Sequence, residues 1–168
     1  GGPWAPEELE AQLDYTQGAP GPIVDFSEII VMGKLDDNDS GPDILVLRLE
    51  DSIDSNYWQP VQICEPDYLG IGADQPLIAT HHPDVLTKVV GVGIAQGISP
   101  LVIGHDLATT FGSSGAGIQM AERNEEDEWE WQLIAIHGKS GGGGGVSHAI
   151  KWAYDNNSGH DNQYGYGF

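Results

Sequence analysis

The stretch Gly112-Ser113-Ser114-Gly115 sets two hydroxyls between glycines, directly behind Thr109-Thr110 and ahead of the apolar Ile118. A serine nucleophile requires a sharp turn that exposes its hydroxyl, small neighbours that let a substrate approach, and backbone N–H groups aimed at the developing oxyanion. Glycines on both sides serve that geometry, although linkers and ordinary turns use the same letters. The chemistry also requires a histidine base and a carboxylate that holds the imidazole in the right tautomer. Histidine occurs at His81, His82, His105, His137, His148 and His160. His81 and His82 are adjacent and would point to opposite faces of a strand, so they make no metal-ligand pair, and no other spacing in the chain suggests a metal or an organic cofactor.

The elements that would position these residues are strands. Short apolar or alternating runs rich in β-branched residues recur from residue 23 onward: IVDFSEIIVMG, DILVLRLE, PVQIC, PLIATHH, TKVVGVGIA, PLVIG, AGIQMA and WEWQLIAIHG. Turn clusters such as DDNDSGPD and GIGADQP separate them, at spacings that predict an antiparallel sandwich or barrel rather than alternating βα units. APEELEAQLD, residues 5–14, predicts a short helix or turn, because Pro6 is followed by acidic residues suited to a first helical turn. SHAIKWAYDNN, residues 147–157, repeats Ala149, Ile150, Ala153 and Tyr154 at three-and-four spacing and predicts a C-terminal helix. ERNEEDEWEW, residues 122–131, reads as the solvated acidic loop of a long hairpin, and SGGGGG, residues 140–145, as a flexible loop.

The composition narrows the function classes. The 168 residues suffice for one domain or for one built from two small halves. Twenty-six acidic residues against six basic ones give a net charge of −20, which repels phosphate backbones and anionic lipid, so neither nucleic acid nor a membrane surface is expected as a partner. No run approaches the roughly 18 apolar residues of a membrane helix. The start GGPWAPEELE has no basic, apolar leader character, so either the chain is not exported or processing has already happened. Cys64 is the single cysteine, which excludes an intrachain disulfide and predicts a small buried apolar residue.

DLATTFGSSGAGI followed by WQLIAIHGKSGGGGGVSHAI resembles the C-terminal half of trypsin-like, chymotrypsin-fold serine peptidases, most closely their disulfide-poor glutamyl-endopeptidase (V8-like) branch. PDILVLRLE is similar to the strand opened by the triad aspartate, and PLIATHHPDVLTK to the strand and His-Pro turn that open the second barrel. The resemblance implies an all-β fold of two six-stranded antiparallel barrels, with residues 1–60 the remainder of an N-terminal barrel and residues 61–168 a C-terminal barrel plus helix. It implies that Ser114 is the nucleophile, that the Gly112 and Ser114 amides bind the oxyanion, and that Asp43 orients the base. Thr109 and His137 correspond to residues that receive an acidic P1 side chain, and Gly138 and Ser140 to those that pair with the substrate backbone as an added strand. The glycine run then becomes the pocket rim.

The base is the departure from this pattern. In that family the histidine precedes the aspartate, and none of the residues before Asp43 is histidine. The resemblance aligns His81 and His82 with a structural turn and His105 with a packing or rim position, while His148 and His160 fall in the expected helix and the tail. A companion N-terminal segment carrying the histidine and the first strands is therefore the expected partner, beside a peptide or protein substrate. The alternative is an inactive relative that keeps the groove as a peptide-binding or scaffold domain.

Overall fold

The computed structural model describes residues 5–13, 21–32, 44–53, 61–63, 72–85, 87–98, 102–124, 126–141 and 144–149. The chain divides into two compact units, Gly1–Gln59 and Pro60–Phe168.

In the first unit, Pro6–Glu8 forms a single 3-10 turn, closed by Glu8 N–H to Ala5 O (2.9 Å) and by Ala5 N–H to the Glu8 carboxylate (3.0 Å). The predicted helix stops there, because the chain enters strand β1 (Glu10–Gln12) and pairs with β2 (Ile23–Met32), which in turn pairs with β3 (Leu45–Leu49). Both pairings are antiparallel. Glu28 stands opposite Arg48, and their side chains form an ion pair at 2.8 Å. Asp43 lies outside the described residues; the next residue, Ile44, is buried ahead of β3.

The second unit carries β4 (Gln62–Ile63), β5 (Pro76–His81), β6 (Val89–Ile98), β7 (Val102–His105), β8 (Gly117–Arg123), β9 (Trp129–Gly141) and β10 (Gly144–Ala149). Each of the eight apolar runs contributes a strand from its described residues. The order β10-β7-β6-β5-β8-β9, with β10 also paired to β9, curls the sheet on itself into a barrel-like antiparallel ring, while β4 adds a short parallel pairing to β9. The predicted C-terminal helix is corrected over residues 147–149: Ser147, His148 and Ala149 belong to β10, each paired to β9. Strand pairing on both sides outweighs a helical spacing that four small or apolar residues suggest. Residues 150–157 of that reading lie outside the described residues.

Alternation decides what points inward. Leu77 and Ala79 on β5, Ala95 on β6, Ile103 on β7 and Ile118 on β8 are fully buried and form the core with Ile134 and Ala135 of β9. A register shift between Ile118 and Gln119 explains why two successive β9 residues, Ile134 and Ala135, are both buried. On β6 the inward places include Gly91 and Gly93, and the segment after β7 fills the space they leave. A Cβ at Gly93 would run into the Asp106 carboxylate and lie 2.7 Å from Leu107 N. Asp106 in turn accepts the Ile94 N–H at 2.6 Å and donates its own N–H to Ile94 O at 3.2 Å, fastening the chain just ahead of the serine turn. Gly93→Ala is expected to destabilise the protein by about 3 kcal/mol, since backbone cannot yield as a side chain would; an unchanged urea midpoint would refute that packing.

The acidic stretch 122–131 is the exposed end of the β8–β9 hairpin, with strand residues on both sides of the connection. Glu122 pairs with Glu130 and Arg123 with Trp129, and Asn124 closes the connection by accepting the Glu126 and Glu128 N–H groups on Oδ1 at 3.0 and 2.9 Å. The Arg123 guanidinium covers the Trp129 ring at 4.8 Å and pairs with Asp127.

Candidate active site

Because neighbours in the ring are antiparallel, β5, β7 and β9 run the same way, and the inward histidines near their C-terminal parts gather at one end of the barrel: His81, His105 and His137. β8 runs the opposite way, so the turn that precedes it, with Ser113 and Ser114, sits at that same end.

The turn is two overlapping reversals sharing Ser113. Ser113 N–H reaches Thr110 O at 3.0 Å and Ala116 N–H reaches Ser113 O at 3.1 Å. The third residue of each reversal is glycine with φ +84°, Gly112 in the first and Gly115 in the second. A positive φ at that place defines a type II turn and selects glycine, which meets no Cβ penalty there. Gly115 N–H donates to His137 O and His137 N–H to Ala116 O, both at 2.8 Å, so the second turn is stitched to β9. Asp84 N–H donates to Phe111 O at 2.8 Å, pinning the first.

The two serines are placed in opposite environments. Ser113 is fully buried, and its Oγ accepts the Thr110 N–H at 3.1 Å and lies 2.9 Å from His81 Nδ1. Ser114 is exposed, with its Oγ 3.5 Å from Gly138 O, the outer limit of a hydrogen bond. Among the described residues, no acceptor takes the Gly112 or Ser114 N–H. An exposed hydroxyl between two such amides can attack a carbonyl carbon while the amides receive its oxygen. No described histidine hydrogen-bonds the Ser114 hydroxyl; His160 and the side chain of His148 lie outside the described residues.

His137 is 1 % exposed, and its Nδ1 is 3.3 Å from His105 Nε2 with ring centroids 5.3 Å apart. Burial, and then the neighbouring His81, lower the His137 pKa, so the ring is neutral at pH 7. Burial also pushes His105 down to about 4, with His137 adding to the shift and Asp106 opposing it. His81 is lowered by burial and by His82. Thr109 is half-buried in the segment leading to the turn. Among the described residues, no group of three or more His, Cys, Asp or Glu side chains is placed to share a metal ion.

Gly138 and Ser140 lie on β9, where Lys139 pairs with Val146 but His137 with Ser147, so Gly138 is an extra residue, a bulge. The His137 backbone groups face the serine turn. The bulge shifts the alternation by one, and the Ser140 backbone therefore faces that side again. β8 ends its pairing with β9 at Gly117 opposite Ile136, so no described strand occupies this edge beyond the turn.

The His81–Ser113 pair is the feature that the sequence reading missed. Alternation along PLIATHH places Leu77, Ala79 and His81 on one face and was the available signal. His105, fully buried, is a packing residue of the barrel interior rather than a rim residue. In comparison with known proteins, the chain matches no family model and no curated protein.

Proposed function

We propose that the chain is the larger part of a trypsin-like, two-barrel serine endopeptidase that cleaves after Glu, less readily after Asp, through an acyl-enzyme on Ser114. The observation that carries this reading is the double turn: an exposed Ser114 hydroxyl beside the Gly112 and Ser114 amides, fixed from both sides by backbone hydrogen bonds. In this reading a histidine from a companion N-terminal segment, oriented by Asp43, takes the Ser114 proton as Oγ attacks the carbonyl. The two amides stabilise the oxyanion, the imidazolium protonates the leaving amine, and water then hydrolyses the ester.

Substrate recognition follows from the same end of the barrel. The free edge of β9 at Gly138 and Ser140 accepts the peptide as an added strand. Thr109 and the neutral His137 supply a hydroxyl and an N–H to the P1 carboxylate, whose charge would in turn favour protonation of the imidazole. The acidic β8–β9 hairpin does not oppose this. Six residue steps of β8 put it about 20 Å from the turn, beyond the roughly 8 Å screening length at physiological salt.

A second reading, a peptide-binding domain without catalysis, is favoured by the lack of a described histidine on Ser114. Cleavage of matched peptides with Glu, Asp or Gln at P1, by the native protein with any copurifying segment, separates the two. The expected order is Glu, then Asp, with Gln far behind. His137→Leu should lower kcat/KM for the Glu peptide roughly ten- to hundredfold, the worth of one hydrogen bond to a charged group, and leave the Gln peptide unaffected. Equal losses on both peptides would remove His137 from P1 recognition, and no cleavage at all would leave the binding domain.

A further inference from the structure

The last residue of β5 and the turn that follows it touch the serine turn on both sides of Gly112. Asp84 N–H holds Phe111 O at 2.8 Å, and His81 Nδ1 meets Ser113 Oγ at 2.9 Å. Phe111 C=O and Gly112 N–H belong to one planar trans peptide, so a carbonyl drawn toward Asp84 sends the Gly112 N–H the opposite way. The positive φ of Gly112 makes this a type II turn, whose type I alternative differs chiefly by a flip of that same central peptide. The flip would swing the N–H inward and replace it with a carbonyl, which repels an oxyanion.

The proton arrangement at the other contact follows by counting partners. Ser113 Oγ already accepts the Thr110 N–H, and His81 Nε2 has no hydrogen-bond partner among the described residues. If the Ser113 hydroxyl donates to Nδ1, only the buried Nε2–H is left unsatisfied; if Nδ1–H donates instead, the serine hydrogen is stranded as well. The first arrangement makes His81 the Nε2–H tautomer and fixes Ser113 by both a donated and an accepted bond. Asp84 also holds a left-handed backbone, φ 52°, a conformation uncommon outside glycine that the surrounding structure must enforce.

We propose that His81–Asp84 is a clamp that holds the Phe111–Gly112 peptide with its N–H outward, making His81 and Asp84 positioning residues for acyl transfer at Ser114. The catalytic half of this statement rests on the peptidase reading above; the structural half does not. Two readouts on the full chain separate them.

Amide hydrogen exchange reads the clamp itself. Ser113→Ala removes the imidazole's partner with little change in volume and should speed exchange of the Asp84 N–H about tenfold, one hydrogen bond's worth, while the Ile118 and Ala135 amides stay as in the wild type. His81→Asn, whose side-chain amide can reach the place of Nδ1, should restore protection relative to His81→Ala. Unchanged exchange at Asp84, or an equal rise at all three amides, overturns the clamp. The second readout is fluorophosphonate modification of Ser114, expected to slow roughly a hundredfold in Ser113→Ala, as for a lost oxyanion donor. Equal labelling rates in variant and wild type overturn the positioning role and leave the peptidase reading standing. A wild type that never labels, with the expected exchange pattern, overturns the peptidase reading and upholds the clamp.

Discussion

Ser114→Ala should lower turnover by on the order of 10⁶-fold with little change in KM, because removing the nucleophile of an acyl-transfer site eliminates the covalent route and leaves only binding and oxyanion stabilisation. Ser113→Ala is the informative neighbour. Its hydroxyl is fully buried and bonded to His81, so it cannot reach a substrate, and its loss should cost only the roughly hundredfold assigned to the clamp. Steady-state kinetics on a Glu-P1 peptide checks both. If Ser113→Ala were the silent variant's equal, with both near 10⁶-fold, the buried Ser113–His81 pair would have to be the reacting pair, and the turn would have to open for catalysis.

Acidification should unfold the barrel from its histidine end. His105 has an ordinary pKa of 6.5 when the chain is unfolded and about 4 when folded. Between those values the unfolded chain binds more protons, so stability rises with pH across the window. The contribution is complete above pH 6.5 and is lost as the pH falls toward 4, by about 3 kcal/mol at 1.36 kcal/mol per unit. The depressed His81 and His137 act in the same direction. Urea unfolding at pH 7, 5.5 and 4 tests this, with His105→Leu as reference. The variant should lose about 3 kcal/mol less than the wild type between pH 7 and 4. An identical pH dependence in the two proteins would place the acid sensitivity elsewhere.

The β elements were legible because each is a local pattern. Alternation in PLIATHH and the apolar run in WQLIAIHG survive into β5 and β9, and glycines at Gly112 and Gly115 mark turns that need positive φ. What closes the ring was not legible. Strand β10 is glycine-rich at its start and small-residue-rich at its end, and it becomes a strand because β7 and β9 both offer it an edge. That is a long-range pairing that no window of sequence contains. The acidic stretch was legible as the solvated end of a hairpin, and Arg123, Trp129 and Asn124 show which contacts hold it.

The candidate site divides along the same line. The turn letters mark a tight glycine-flanked reversal and the resemblance selects Ser114 and Gly112 within it; the structure has Ser114 exposed and Gly112 at positive φ in that reversal. Gly138 and Ser140 were assigned through resemblance; the bulge at Gly138 turns the Ser140 backbone to the side that the His137 backbone faces. The burial of Ser113 and its bond to His81 depend on the chain reversing over the end of the barrel, which neither serine announces in sequence.

The most direct test of the central claim is intact mass spectrometry of the native protein after fluorophosphonate treatment, under denaturing conditions, with peptide mapping of the modified residue. One adduct is expected, on Ser114 and absent in Ser114→Ala, together with a second, histidine-bearing polypeptide in the native material. An unmodified chain of 18.0 kDa with no companion would contradict the peptidase reading, in favour of the peptide-binding reading of the β9 edge.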